Sequence, residues 1–139
     1  MQAYYRREHG DEPVLLRSSS DVDALIDALL ASRPSENLAA LYSLERPLMS
    51  AGVPDHELLV AADGELQVGV IGFMDDGNFV SFDPSNGRGE TSYSIMGSVT
   101  EFPSRSEIPI ALVRRAVKEF LSFGGQRPTC IQWQEPEFW

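Results

Sequence analysis

Residues 106–134 read SEIPIALVRRAVKEFLSFGGQRPTCIQWQ, and the fold class turns on them. Ser106-Glu107-Ile108-Pro109 has the chemistry of a helix start: a serine able to satisfy free N–H groups, and a proline in the first turn, where its missing donor costs nothing. Ile110, Val113, Val117, Phe120 and Leu121 follow at three- and four-residue spacing and make one apolar stripe, with Arg114, Arg115, Lys118 and Glu119 largely on the other side. Gly124-Gly125 ends the helix, because glycine enters the left-handed region of a C-terminal cap without a Cβ penalty. Pro128 prevents its resumption, and Thr129-Cys130-Ile131-Gln132-Trp133-Gln134 alternates as a half-buried strand should. An amphipathic helix returning into such a strand predicts an α+β domain.

Upstream, Tyr4 and Tyr5 belong to a first strand, residues 1–7, and Val14-Leu15-Leu16-Arg17 returns as its hairpin partner after the turn-rich His9-Gly10-Asp11-Glu12-Pro13. Ser18-Ser19-Ser20-Asp21-Val22-Asp23 then opens a helix with a serine cap and carboxylates in the first turn. Val22, Leu25, Ile26, Leu29 and Leu30 form its stripe, and Arg33-Pro34 closes it. Residues 37–43 fit strand or helix by pattern; Pro34 and Pro47 confine them to a short span, which favours a strand. Leu58-Leu59-Val60-Ala61-Ala62 and residues 66–73 read as strands joined by a tight turn at Asp63-Gly64. Asp75-Asp76-Gly77-Asn78 turns into Phe79-Val80-Ser81-Phe82, and residues 83–89 loop into a strand at 91–96. Connections this short predict an antiparallel meander. Gly69 and Gly72, inside one strand, mark a bulge or a close approach by a packed helix. The expectation is one domain, residues 1–139: a mostly antiparallel sheet of six to eight strands with two amphipathic helices on one face.

The chain has 139 residues, enough for one core without disulfides or metals. No apolar run approaches the roughly 20 residues that span a bilayer, and residues 1–7 lack the pattern of a secretion signal, so a cytoplasmic protein is expected. Cys130 is the only cysteine, which excludes an internal disulfide and a cysteine-based zinc site. With 21 acids against 11 bases the formal charge is -10, which opposes binding to nucleic acid or anionic membrane and suits a basic partner. Residues 55–90 hold eight of the acids (Asp55, Glu57, Asp63, Glu65, Asp75, Asp76, Asp83, Glu90) and one base, Arg88, so this segment alone carries -7.

Catalytic chemistry is scarce. His9 and His56 both sit in turn-like sequence and read as surface residues, Lys118 is on a polar helix face, and no Gly-x-Ser-x-Gly elbow is present. Asp75-Asp76-Gly77-Asn78 lacks the alternating ligands of a calcium loop, and Gly87-Arg88-Gly89 precedes a strand rather than a helix; no metal or cofactor is expected. Phe138 and Trp139 close the chain with two large rings, which either fold back on the core, the preferred reading, or contact a partner. Trp133, in phase with Ile131, reads as core.

Glu101-Phe102-Pro103, Ser106-Glu107-Ile108-Pro109, residues 113–120, Gly124-Gly125, Arg127-Pro128 and the closing Trp133-Gln134-Glu135 together resemble the first-numbered Imm family of bacterial immunity proteins. The likeness covers about the last forty residues, and Trp133 with Glu135 supplies the family's tryptophan followed two positions later by glutamate. The resemblance implies an α+β, non-enzymatic inhibitor that binds a cognate toxin domain, often a nucleic-acid deaminase, inside the producing cell. The charge distribution then leads to the expectation that the loops 75–78 and 83–90, with Asp75, Asp76, Asp83 and Glu90 and with Phe79 or Phe82 nearby, carry much of the toxin contact. Glu135 is either a contact or a support of its strand. Monomer and dimer stay open, and the rival class is a small-molecule-binding or hydrolytic domain with a pocket between sheet and helices.

Overall fold

The computed structural model describes residues 1–137; Phe138 and Trp139, and with them the question of whether those rings fold back, lie outside the described residues. The chain runs β1 (Gln2–Tyr4), β2 (Val14–Leu15), α1 (Ser19–Leu30), β3 (Leu38–Tyr42), β4 (Glu57–Asp63), β5 (Val68–Met74), β6 (Asn78–Phe82), β7 (Thr91–Ile95), β8 (Ser98–Phe102), β9 (Ile108–Pro109), α2 (Ile110–Ser122) and β10 (Gln132–Gln134). Eight strands form an antiparallel sheet in the order β10-β6-β5-β4-β3-β1-β2, with β9 also on β5.

Both helices lie on one face of this sheet, as expected. Val22, Leu25, Ile26 and Leu29 of α1 meet Val113, Ala116, Val117 and Phe120 of α2 over Ala39, Leu41, Leu58, Val60, Ile71 and Phe73. Ser18 caps α1 by accepting from the Asp21 N–H, while the Asp21 side chain returns to the Ser18 N–H. Arg114 reaches Asp23 at 3.0 Å and Asp27 at 2.6 Å, and Lys118 reaches Asp23 at 2.9 Å, which ties the polar sides of the helices together.

Three local readings change. Ser106 does not cap α2: it is buried, its carbonyl accepts from Ser81 Oγ at 2.6 Å, and Ile108–Pro109 pairs as a strand with Val68 and Gly69. The first helical N–H, that of Ile110, goes instead to the Gln67 carbonyl at 3.1 Å. Residues 91–96 leave the meander; among the described residues β7 pairs with β8 alone, and this hairpin covers the other face of the sheet, where Tyr93 and Phe102 pack on Leu38, Ala61, Val70 and Val80. Residues 129–131 precede the short β10 rather than belonging to it.

The Asp63-Gly64 turn is also wider than expected. Asp63 pairs with Val68, the Gln67 N–H returns to the Asp63 carbonyl at 2.9 Å, and the positive φ falls on Gln67, at 55°. Gly64 is required for space: a Cβ there would stand 2.1 Å from the Leu30 carbonyl oxygen. Gly69 resolves toward close approach, since the β4–β5 ladder is unbroken and its Cβ would stand 2.2 Å from the Ala61 oxygen and 3.0 Å from Val113 Cγ2 on α2. Gly69→Ala is therefore expected to cost about 2–3 kcal/mol by overpacking, whereas Gly87→Ala, with nothing within 4 Å of the added carbon, should cost little. Denaturant midpoints compare the two, and equal midpoints would refute the close-approach account.

Candidate functional site

Strand direction sorts the acidic residues. β4 runs from Glu57 to Asp63, β5 returns and β6 goes out again, so Asp55, Glu57, Asp75 and Asp76 share one end of the sheet, while Asp63, Glu65, Asp83 and Glu90 share the other. Five residues of β6 separate the ends by roughly 13 Å. The single contact surface expected from the sequence is thus divided. β10 pairs antiparallel with β6, with Gln134 opposite Val80, so Glu135 leaves the sheet at the end that holds Asp75 and Asp76. Glu135 is exposed, as are those two aspartates.

The far end is closed on itself. Asp83 Oδ1 accepts from the Ser85 N–H at 3.0 Å and the Ser85 hydroxyl at 2.6 Å, and these bonds hold its carboxyl below the usual carboxylate range. Glu107, 1% exposed, accepts from Tyr93 Oη at 2.5 Å and pairs with Arg88, whose Nε stands 2.6 Å from Oε1. Burial, then this carboxylate, pushes the Tyr93 hydroxyl far above its ordinary pKa. Asn86 Nδ2 donates to the Glu107 carbonyl at 2.9 Å. Residues 83–90 therefore use their polar groups to hold the β7–β8 hairpin, although Glu90 itself is exposed.

The near end is built on Arg46. Its Nε lies 3.0 Å from Asp55 Oδ1 and its Nη2 donates to Oδ2 at 3.1 Å, a two-pronged pairing. Nη1 donates to the Gly125 carbonyl at 3.0 Å and lies 3.7 Å from Asp75 Oδ2. His56 is buried, contrary to the expectation of a surface histidine, because it is a strut: Nε2 accepts from the Ser43 N–H at 2.8 Å and Nδ1 meets Asp55 Oδ1 at 2.8 Å. Arg46, then His56, keeps the Asp55 carboxyl below its usual range. The α2 terminus fits the same node through the positive φ of Gly125, 87°, where a Cβ would stand 2.5 Å from Ser43 Cβ.

This node carries residues 43–56, a connection of 14 residues between β3 and β4 that sequence reasoning passed over. Leu44, Leu48, Met49 and Val53 are all exposed on it. The signal was available: connections this long in a compact fold are uncommon and tend to be functional, and four large apolar side chains punctuated by Pro47, Gly52 and Pro54 are unusual for a solvated loop. Phe79, expected as an open contact, is half-buried with the Arg127 guanidinium 3.9 Å over its ring. Trp133 is half-buried against the core and donates from Nε1 to the Pro128 carbonyl at 2.8 Å, which fits its structural reading.

Groups that move protons are committed elsewhere. His9 Nδ1 accepts from the Tyr5 and Arg6 N–H groups at 3.1 and 3.0 Å, and burial followed by Glu119 raises the Cys130 thiol, which disfavours a thiolate. Among the described residues no cluster of His, Cys, Asp and Glu is placed to hold a metal, and no helix is long and apolar enough to cross a membrane. Beside the first turn of α2, a recess of about 320 Å3 is lined by Phe82, Asp83, Ile108, Leu112 and Ile131 among others, and its one carboxylate is the one Ser85 already occupies.

Residues 10–135 match the family described as immunity protein Imm1, and no curated protein matches the chain.

Folding lowers the Asp55 pKa, so its link to Arg46 stabilises above the ordinary carboxylate value of about 4 and is lost as pH falls through the lower folded value. Arg46→Ala should speed amide exchange in residues 43–56 while β4 and β5 stay protected. The stability gap between this variant and the native chain should narrow below about pH 4. Unchanged exchange in the loop would show that the node is not what holds it.

Proposed function

The chain belongs to the Imm1 family of immunity proteins, and from that premise we propose that it neutralises a cognate toxin domain by covering the toxin's basic active-site cleft, performing no reaction itself. The observation that carries this reading is the gathering of Asp75, Asp76 and Glu135 at one end of the sheet, beside the Arg46 node that fixes residues 43–56. A toxin acting on nucleic acid, a deaminase among them, must present cations to phosphate. A clustered negative field draws such a surface in, raising the association rate more than the final affinity.

Asp75, Asp76 and Glu135 are then contact or steering residues. Phe79 is half-buried beneath the Arg127 guanidinium rather than standing as an open anchor. Asp83 and Glu90, at the opposite end, add to the long-range field only. The rival reading, a ligand pocket between sheet and helices, loses support because that interface is filled by Leu41, Leu58, Val60, Ile71, Phe73, Val117 and Phe120, each 0–1% exposed.

Co-expression of the chain with the final domain of the neighbouring reading frame should restore growth that the domain alone abolishes. Asp75→Lys with Asp76→Lys should slow association about tenfold at low salt, with the deficit shrinking as salt is added; Asp83→Lys should have a much smaller effect. Equal effects from the two ends would sink the assignment of the contact surface, and absence of rescue would sink the inhibitor reading.

A further inference from the structure

Loop 43–56 has the physical properties of an anchor. Leu44, Leu48, Met49 and Val53 are 60, 64, 55 and 48% exposed, and Phe123, beside the Gly124-Gly125 turn that packs on the loop's base, is 67% exposed. Surface apolar residues scattered singly need no explanation, but several gathered on one projection mark an interaction site. The projection is also ordered. Leu48 bridges Pro54, the Met49 N–H donates to the Val53 carbonyl and the Gly52 N–H to the Met49 carbonyl, each at 2.8 Å, and Gly52 takes a φ of 78° to close the turn. Below it, Arg46, Asp55 and His56 lock both legs to β4 and to the end of α2. A tip held in one conformation loses little freedom on binding.

We infer that this tip is an apolar plug that enters a hydrophobic recess of the partner, with Glu45, beside Gly124, and Asp75 and Asp76 around its base set against cations flanking that recess. The inference rests on the reading of the chain as a toxin inhibitor and specifies the partner surface: an apolar depression within a basic rim. Charge decides against the other occupants. A second copy would bring the acidic collar against its own like charges, and an anionic membrane would be repelled by it. The two parts of the surface have separate kinetic roles, the collar governing encounter and the plug governing escape.

The test measures binding kinetics of the full chain against the toxin domain from the neighbouring reading frame. Leu48→Ser with Met49→Ser, both exposed, should leave the melting transition in place, raise the dissociation rate at least about tenfold, and change the association rate less than about threefold at any salt concentration. Asp76→Lys should show the reverse pattern. Native chain that binds while the double serine variant dissociates within about twofold of it would overturn the plug and leave the inhibitor reading standing. Native chain that neither binds the domain nor restores growth would overturn both. A native dimer that the double serine variant converts to monomer would reassign the tip to self-association and overturn the proposal.

Discussion

Strands β4 and β5 are buried on both faces, and the rest of the molecule is arranged to satisfy them. Leu58, Val60, Ile71 and Phe73 point to the helices, while Leu59, Ala61 and Val70 point the other way, and all are at most 9% exposed. An antiparallel sheet commonly leaves one face to water, but alternation on these two strands is apolar to apolar, so a second cover is required. The helices supply the first with their apolar stripes, and Asp23, Arg114 and Lys118 hold the pair together. The second is only the β7–β8 hairpin, fixed by the Ser94 N–H donating to Asn37 Oδ1 at 3.0 Å, the Gly97 N–H donating to the Ser35 carbonyl at 2.9 Å, and the buried Tyr93–Glu107 bond.

The same demand explains the irregular edge of β5. β6 pairs with β5 only at Gly72, Phe73 and Met74, and β9 takes over at Val68 and Gly69. Between the two, the Ile71 N–H would face the interior with no strand partner. Ser81 Oγ accepts it at 3.0 Å and donates its own hydroxyl hydrogen bond to the Ser106 carbonyl at 2.6 Å. One hydroxyl thus closes the gap in the ladder, and burying Ser81 and Ser106 is the consequence. β9 in turn sets the position of α2, which begins at the next residue.

What could be read from the sequence divides along this line. Both helices, the Ser18 cap, the Gly124-Gly125 ending and strands β3 to β6 were legible because local periodicity and turn chemistry determine them. Ser106 was misread because a serine three residues before an apolar run looks like a cap unless Ser81 is known to lie beside it. β8 was missed because Ser98, Thr100 and Glu101 give it little strand character without Tyr93 and Phe102 folding together. The acidic segment was recognised, but a linear count cannot see that strand direction sends Asp75 and Asp83 to opposite ends. His56 was misjudged for the same reason: its partners, Ser43 and Asp55, come from the two legs of one loop.

The Arg46 node is where stability and function pull apart. A buried histidine and a guanidinium 16% exposed, shared among Asp55, Asp75 and a carbonyl, is a costly way to close a loop, since removing charges from water is repaid only by good geometry. A shorter connection between β3 and β4 would serve the sheet as well, because these antiparallel neighbours can be joined by two residues. The sheet therefore does not need the 14 residues, the exposed leucines or the ion pairs beneath them. What they achieve together is an ordered loop that leaves Leu44, Leu48, Met49 and Val53 exposed above a fixed base. Exposed leucines on an ordered loop add little to the stability of the sheet, and this is the physical ground for proposing that they meet a surface outside the chain.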